Sequence, residues 1–193
     1  MLFLCIFAAY SRKVKNYKTI DIMRRASREM PAEWALDVLR RAPFIIVSFT
    51  RADGTAYGLP LSMACTNTNT WYFHCALEGE KLEAIRINPK VCLSAVTKCH
   101  PTVGPKDDSF TLQYESAVAF GYAELVADDR EKIEALRVIS QRFLPEHMDA
   151  FDDAIARSLD RTAVVRITLT DLPTGKRKKY DSSGEEMKWG RME

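Results

Sequence analysis

The chain has 193 residues, of which 47% are hydrophobic and 28% are charged. This length suits one domain with a sizeable core, and nine Phe and seven Tyr residues exclude a disordered chain. The net charge of +2 argues against a nucleic-acid binder, which would carry a strongly basic face. The odd number of cysteines, five without paired spacing, argues against a disulfide framework. The absence of a CxxC motif makes a structural zinc site unexpected. Reduced thiols are typical of the cytoplasm, where we expect the protein.

The N-terminal segment is an apolar run, residues 1–10, followed by a basic stretch. A signal peptide carries its positive charges before the apolar run, and a spanning helix needs about 20 apolar residues, so we expect neither. We interpret residues 1–22 as an extension outside the fold, with Met23 as the more natural start. A weak membrane-surface anchor is the alternative interpretation. Residues 23–175 form the predicted domain, and residues 176–193 a C-terminal tail.

The first half of the domain is predicted to contain two helices and four strands. Pro31 and the apolar face that follows it predict a helix over residues 31–42. Apolar and β-branched runs predict strands over residues 44–50, 56–65, 71–76 and 91–96. Pro60 places the second of these strands at a sheet edge or a bulge. A second helix is predicted over residues 80–87.

The second half is predicted to contain a loop, two strands and two helices. Two prolines and a glycine indicate a loop over residues 98–108, and a long strand is predicted to follow over residues 110–126. Helices are predicted over residues 128–142, with Asp128 as the N-cap, and over residues 148–159. A last strand over residues 162–170 precedes a polar tail that starts at Pro173. Consecutive hairpin-like strands favour an α+β fold, an antiparallel β-barrel with peripheral helices, over a doubly wound sheet.

The segment 72–81 leaves a strand, turns at Gly79 and places Lys81 in the first turn of a helix. Free backbone N–H groups at a helix start attract phosphate, and a lysine adds a full positive charge. A lysine at this place opposes the helix dipole, and a bound anion would offset that cost. On these residues alone, an ordinary strand–helix turn with a solvated lysine explains the pattern at least as well.

Four other residues are candidates around this segment. His74 lies on the strand face opposite Trp71, either as a hydrogen-bonded structural histidine or as a group that faces a cofactor ring. Ser62 is expected across a hairpin from His74, where it contacts a cofactor or is simply half-buried. Cys75 fits as a small apolar group. Arg161, at the entry to the last strand, is either a phosphate ligand or a surface ion pair.

Several segments together resemble a known family: residues 23–25, 28–30, 58–62, 72–82, 88–92, 114–116, 120–121 and 158–163. They are similar to the pyridoxamine 5′-phosphate oxidase-like flavoproteins, and most of all to their 5-nitroimidazole-resistance branch. The resemblance covers roughly residues 23–175. It implies a split β-barrel and a homodimer with FMN at the dimer interface.

The resemblance also implies roles for particular residues. Lys81 matches the lysine that contacts the FMN phosphate, and Arg161 is a weaker candidate for the same cofactor. Leu61, Ser62 and Cys75 match strands that line the flavin. His74 matches the histidine near the flavin ring, and we expect it to be the catalytic residue.

The function that we expect from these residues is an FMN-dependent oxidoreductase. NAD(P)H would reduce the flavin, which would pass electrons to a small acceptor such as a nitroaromatic. One alternative is a protein that binds or senses flavin, haem or a deazaflavin without turnover. The other is a dimeric scaffold that binds no cofactor.

Overall fold

One antiparallel sheet dominates the protein, seen in a computed structural model that describes residues 23–103 and 110–190. Within these residues the strands are β1 (Glu29–Met30), β2 (Ile45–Thr50), β3 (Ala56–Leu61), β4 (Ala64–Cys65), β5 (Thr70–Cys75), β6 (Lys90–Val103), β7 (Phe110–Leu125), β8 (Ala163–Leu169) and β9 (Thr174–Lys178). The α-helices within them are α1 (Ala32–Arg41), α2 (Glu80–Ile87), α3 (Asp129–Phe143) and α4 (Phe151–Ser158).

The sheet is ordered β3-β2-β6-β7-β8-β5-β4, and β9 joins it by pairing with both β1 and β7. Every pairing is antiparallel, as the sequence predicts. Strand β7 is central: β6 pairs along one side of it, while β9 and β8 pair with successive halves of the other side. Pro60 lies in β3, at the edge of the sheet, where proline is tolerated.

The helices follow their local sequence signals with one shift. Helix α1 starts directly after Pro31 and α2 spans the predicted residues. The Asp128 side chain caps α3 by accepting a hydrogen bond from the Glu131 N–H at 2.8 Å. The helix predicted over residues 148–159 begins only at Phe151, because a 3₁₀ helix occupies Pro145–Ala150.

Three sequence-based assignments are corrected by strand pairing. The loop predicted from residue 98 starts later, because β6 continues to Val103 against β7. The strand predicted over residues 56–65 is interrupted after Leu61, so that β3 pairs with β2 and β4 pairs with β5. The polar tail predicted from Pro173 contains β9, which hydrogen-bonds to β7. Residues 1–22, predicted to be an extension, lie outside the described residues.

The core lies on the inner face of the sheet, beneath α1. A typical cross-strand row consists of Val47, Leu93 and Ala119, each at most 1% exposed. Small residues on β7 leave space for the larger side chains around them. Helix α1 packs on β7 and β9, and a Cβ on Gly175 would lie 2.7 Å from the Trp34 ring. Within the described residues, no helix has both the length and the apolar character needed to cross a bilayer.

We expect Gly121→Ala to destabilise the fold. A Cβ at this position would lie 2.6 Å from the Thr168 carbonyl oxygen and 2.9 Å from Ile167 Cγ2, so β7 and β8 would have to move apart. Overpacking of this kind lowers the free energy of unfolding by about 1–3 kcal/mol, which urea titration measures. Gly58→Ala is the matched control, because its Cβ would meet nothing closer than 3.6 Å. Equal losses in the two variants would contradict this account.

Candidate functional site

The candidate site is built on the continuous segment of residues 72–81, which we call the β5–α2 segment. Alternation along β5 buries Trp71 and Phe73 completely and turns His74 to the opposite, outer face of the sheet, as predicted. Cys75 ends the strand, half-buried against the core. Lys81 follows in the first turn of α2. The structure therefore brings His74, Cys75 and Lys81 together on one segment.

The N-terminus of α2 is open. Gly79 precedes the helix with φ +129°, a backbone conformation that favours glycine, and no side chain caps the helix. A Cβ at Gly79 would meet no described atom within 4 Å, so the backbone at this turn is not crowded by side chains. Uncapped N–H groups and unoccupied space are what an anion needs at a helix start.

Lys81 has no acidic partner within residues 23–103 and 110–190. Its neighbour Glu80 pairs with Arg51 instead. Burial raises the pKa of the Cys75 thiol, and the positive charge of Lys81 partly opposes that effect. The half-buried Lys81 ammonium is thus available to a bound anion.

The surroundings of His74 favour the neutral imidazole. Desolvation by the surrounding protein lowers the pKa of His74, although solvent still reaches the side chain. Val164, which is completely buried, lies opposite it on β8. A neutral imidazole has one N–H donor and one nitrogen acceptor, so His74 is able to hydrogen-bond to either kind of group on a ligand.

The next residue on the same face, Tyr72, belongs to a network that holds α3 over the sheet. Its hydroxyl donates to Glu131 Oε1 at 3.0 Å, and Arg166 Nη1 donates to the same oxygen at 2.8 Å. Arg166 also pairs with Glu124. Helix α3 therefore packs on the outer face at Tyr72 and Val164, whereas the side chain of His74 at the end of β5 is exposed.

Ser62 and Leu61 lie in different surroundings. Strand β4 pairs Ala64 with Tyr72, and the same register continued by two residues puts Ser62 level with His74. Ser62 is exposed, whereas Leu61 is half-buried and packs against the core. The proximity of Ser62 to His74 stays a prediction, because the paired residues of β4 begin at Ala64. Leu61 is the last residue of β3.

The break between β3 and β4 depends on a residue that the sequence did not single out. Arg142 on α3 donates to the Met63 carbonyl and, at 2.6 Å, to the Ala42 carbonyl. Burial lowers the pKa of Arg142. The helical pattern of α3 gives no sign of this function, because the two carbonyls lie far away in sequence. Arg142 positions the backbone next to Ser62.

Arg161 lies in the 3₁₀ turn Leu159–Arg161, directly before β8, and its side chain is exposed. Strand β8 begins with Ala163, which pairs with Cys75 at the end of β5, and Arg161 precedes this pair by two residues. The residue is thus at the same end of the sheet as the β5–α2 segment. No described contact joins it to Lys81.

Comparison with known proteins identifies the family. The sequence model of a family described as pyridoxamine 5′-phosphate oxidase matches residues 31–177. No curated protein matches the chain. Among solved structures, a candidate 5-nitroimidazole antibiotic resistance protein from Bacteroides thetaiotaomicron is 22% identical, with a TM-score of 0.63 over 77% of this chain and 85% of that chain.

Two other solved structures are similar in fold. A flavocytochrome from Azotobacter vinelandii is 17% identical, with a TM-score of 0.70 over 89% of this chain and 83% of its own. An FAD- and haem-binding protein from Mycobacterium smegmatis is 19% identical, with a TM-score of 0.68 over 86% and 77%. At these identities the likeness establishes the fold alone. Together with the family match, it shows that the chain belongs to the pyridoxamine 5′-phosphate oxidase family and has its antiparallel split-barrel fold.

Proposed function

We propose that the protein is an FMN-dependent oxidoreductase that takes electrons from NAD(P)H and passes them to a small acceptor such as a nitroaromatic. The observation that carries this proposal is the open N-terminus of α2 beside the half-buried, unpaired Lys81. Such a site suits one terminal phosphate, and FMN has one. A cytoplasmic location fits the four cysteines of the described residues, all of which are free thiols.

Six residues in and around the β5–α2 segment have roles in this proposal. Lys81 and the first N–H groups of α2 bind the phosphate. Ser62, Leu61 and Cys75 line the flavin, and Arg161 adds positive charge at the same end of the sheet. His74 hydrogen-bonds at the reactive ring edge and holds or donates a proton there. The bound flavin supplies the electron transfer itself.

A homodimer is part of the proposal, because the described residues leave part of the outer face of the sheet exposed, along β2, β6 and β7. Strands β2, β6 and β7 expose apolar side chains on the same face that carries His74: Ile46, Val96, Phe120 and Tyr122, which are 41%, 55%, 38% and 43% exposed. A contiguous exposed apolar surface of this kind is typical of an interface.

The second candidate function is binding of flavin or haem without turnover. Two of the similar solved structures favour it, since one is a flavocytochrome and the other an FAD- and haem-binding protein. Spectroscopy of the purified protein separates the two functions. We expect an oxidised-flavin spectrum that bleaches anaerobically on addition of NADH or NADPH and returns on addition of a nitroaromatic. A flavin or haem spectrum that neither donor changes would favour the second function.

We expect Lys81→Ala to weaken FMN binding by about 1.5–3 kcal/mol, the typical contribution of a charge-assisted hydrogen bond. Quenching of FMN fluorescence measures the affinity. Arg86→Ala is the matched control, because it removes one positive charge from the last turn of the same helix, where Arg86 pairs with Glu83. The control should bind FMN like the natural protein. Unchanged affinity in Lys81→Ala would remove this residue from the site.

We expect His74 to titrate below the ordinary histidine pKa of about 6.5, since desolvation disfavours its charged form. NMR titration measures this, with His74→Gln to assign the resonance. The unfolded chain then binds the proton more readily, so the free energy of unfolding should fall as the pH drops below about 6.5. It should fall less in His74→Gln. A pKa at or above 6.5 would contradict the neutral role of this residue.

We expect Phe120→Glu to convert a dimer into monomers, because it buries a carboxylate in the proposed apolar interface. Light scattering after size exclusion measures the mass, and circular dichroism checks that the variant is folded. Leu144→Glu is the control, as Leu144 is 52% exposed at the end of α3 and belongs to none of the strands β2, β6 and β7. A natural protein that is monomeric with FMN bound, or a Phe120→Glu variant that stays dimeric, is the opposing result.

A further inference from the structure

A row of charged side chains crosses the far end of the sheet. Strand β7 pairs Glu115 with Lys98 on β6 and with Arg177 on β9. The next row on the same face contains His100 opposite Gln113. These rows depend on a β-bulge between Val96 and Lys98, which shifts the register so that Lys98 rather than the preceding residue lies opposite Glu115. Bulges often turn side chains toward a functional site.

Glu115 is buried, being 5% exposed, and three cations contact it. Lys98 Nζ lies 3.2 Å and Arg177 Nε 3.4 Å from its Oε1, and Arg41 Nη2 lies 3.5 Å from its Oε2. Burial alone would raise the pKa of Glu115, but hydrogen bonding from Lys98 and the charges of the three cations outweigh it and lower the pKa. The single negative charge of Glu115 therefore does not neutralise the positive charges of the three cations that contact it.

A cavity of about 140 Å³ opens beside this carboxylate. Four cations line it, namely Lys98, Arg177, Lys178 and Lys179, together with His100 and Gln113. Glu115 is the one carboxylate among the described lining residues, so the wall has three more positive than negative charges. Arg177 is held in place by stacking on the Trp189 ring, 4.2 Å from its centroid. Lys178 donates to Thr111.

This cavity is separate from the β5–α2 segment in the chain. It adjoins the half of β7 that pairs with β9, over Tyr114–Val118. The other half, Gly121–Leu125, pairs with β8, which in turn pairs with β5. The two positively charged places thus lie at opposite ends of the same strand, and the cavity does not depend on the function proposed above.

We propose that the β6–β7–β9 cavity is a second anion site and that it binds the phosphate of a phosphate monoester. A monoester carries a charge of about −1.5 to −2 at pH 7, which the surplus of positive charge on the wall would balance. Lysine and arginine donors from β6 and from the end of β9 line the cavity, and the Gln113 amide and the His100 ring supply further hydrogen-bonding groups. Glu115 at the wall holds Lys98 and Arg177 through one carboxylate oxygen.

The test is a calorimetric titration of the full chain, saturated with FMN, with inorganic phosphate and with phenyl phosphate at constant ionic strength. The double variant Lys98→Ala/Lys179→Ala removes two exposed cations from the wall and leaves Arg177 with Glu115. We expect binding of both probes to weaken at least tenfold in this variant. Lys188→Ala, which removes an exposed lysine from outside the lining, should bind like the natural protein.

Competition with dinucleotides identifies the source of the phosphate. Displacement of phenyl phosphate by NADPH but not by NADH would mean that the site reads the 2′-phosphate of the nicotinamide donor. Displacement by neither would mean that it binds a separate phosphate ester. The absence of binding, or equal weakening in the double variant and in Lys188→Ala, would overturn the proposal. FMN saturation of the same samples, followed by its absorption, shows independently whether the β5–α2 segment is intact.

Discussion

The pairing of β7 on both sides is the constraint on which the rest of the structure depends. Its 16 residues pair with β6 along one edge, and with β9 and then β8 along the other. The exchange of partners happens close to Gly121, where the backbones approach so closely that no Cβ fits. Strand β8 pairs with the second half of β7, and β5 pairs with β8. Because the β5–α2 segment begins within β5, its position follows from the second half of β7.

The outer and inner faces of the sheet have different functions. The inner face is closed by α1 and filled with apolar side chains. Helix α3 packs on the middle of the outer face, where Tyr72, Glu131 and Arg166 form a network and Val164 is buried. On one side of this network His74 is exposed, and on the other side β2, β6 and β7 expose apolar side chains.

Positive charge is distributed so that each end of β7 has its own unsatisfied cations. At one end Lys81 has no acidic partner in the described part of the chain, and the open first turn of α2 adds the helix dipole. At the other end three cations share Glu115. The chain as a whole is nearly neutral, so these two places stand out by local arrangement and not by composition. A phosphate group is the simplest chemical complement to both.

The sequence by itself determined the elements whose signals are local. Helix α2, the Asp128 cap, the edge position of Pro60 and the outward face of His74 follow from dihedral preferences and from side-chain periodicity over a few residues. The family was also recognisable from segments spread over most of the chain, and the family match confirms it. The role of Lys81 stays a prediction.

Only the tertiary structure decided features that join distant residues. The break after Leu61 follows from exchange of strand partners and from Arg142, which holds the Met63 carbonyl from α3. The polar sequence of β9 does not predict a strand, and β9 forms because it pairs with β7. The cations around Glu115 come from two strands and a helix. Local patterns contain no information on such contacts, because their free energy arises from pairing between segments that are far apart in the chain.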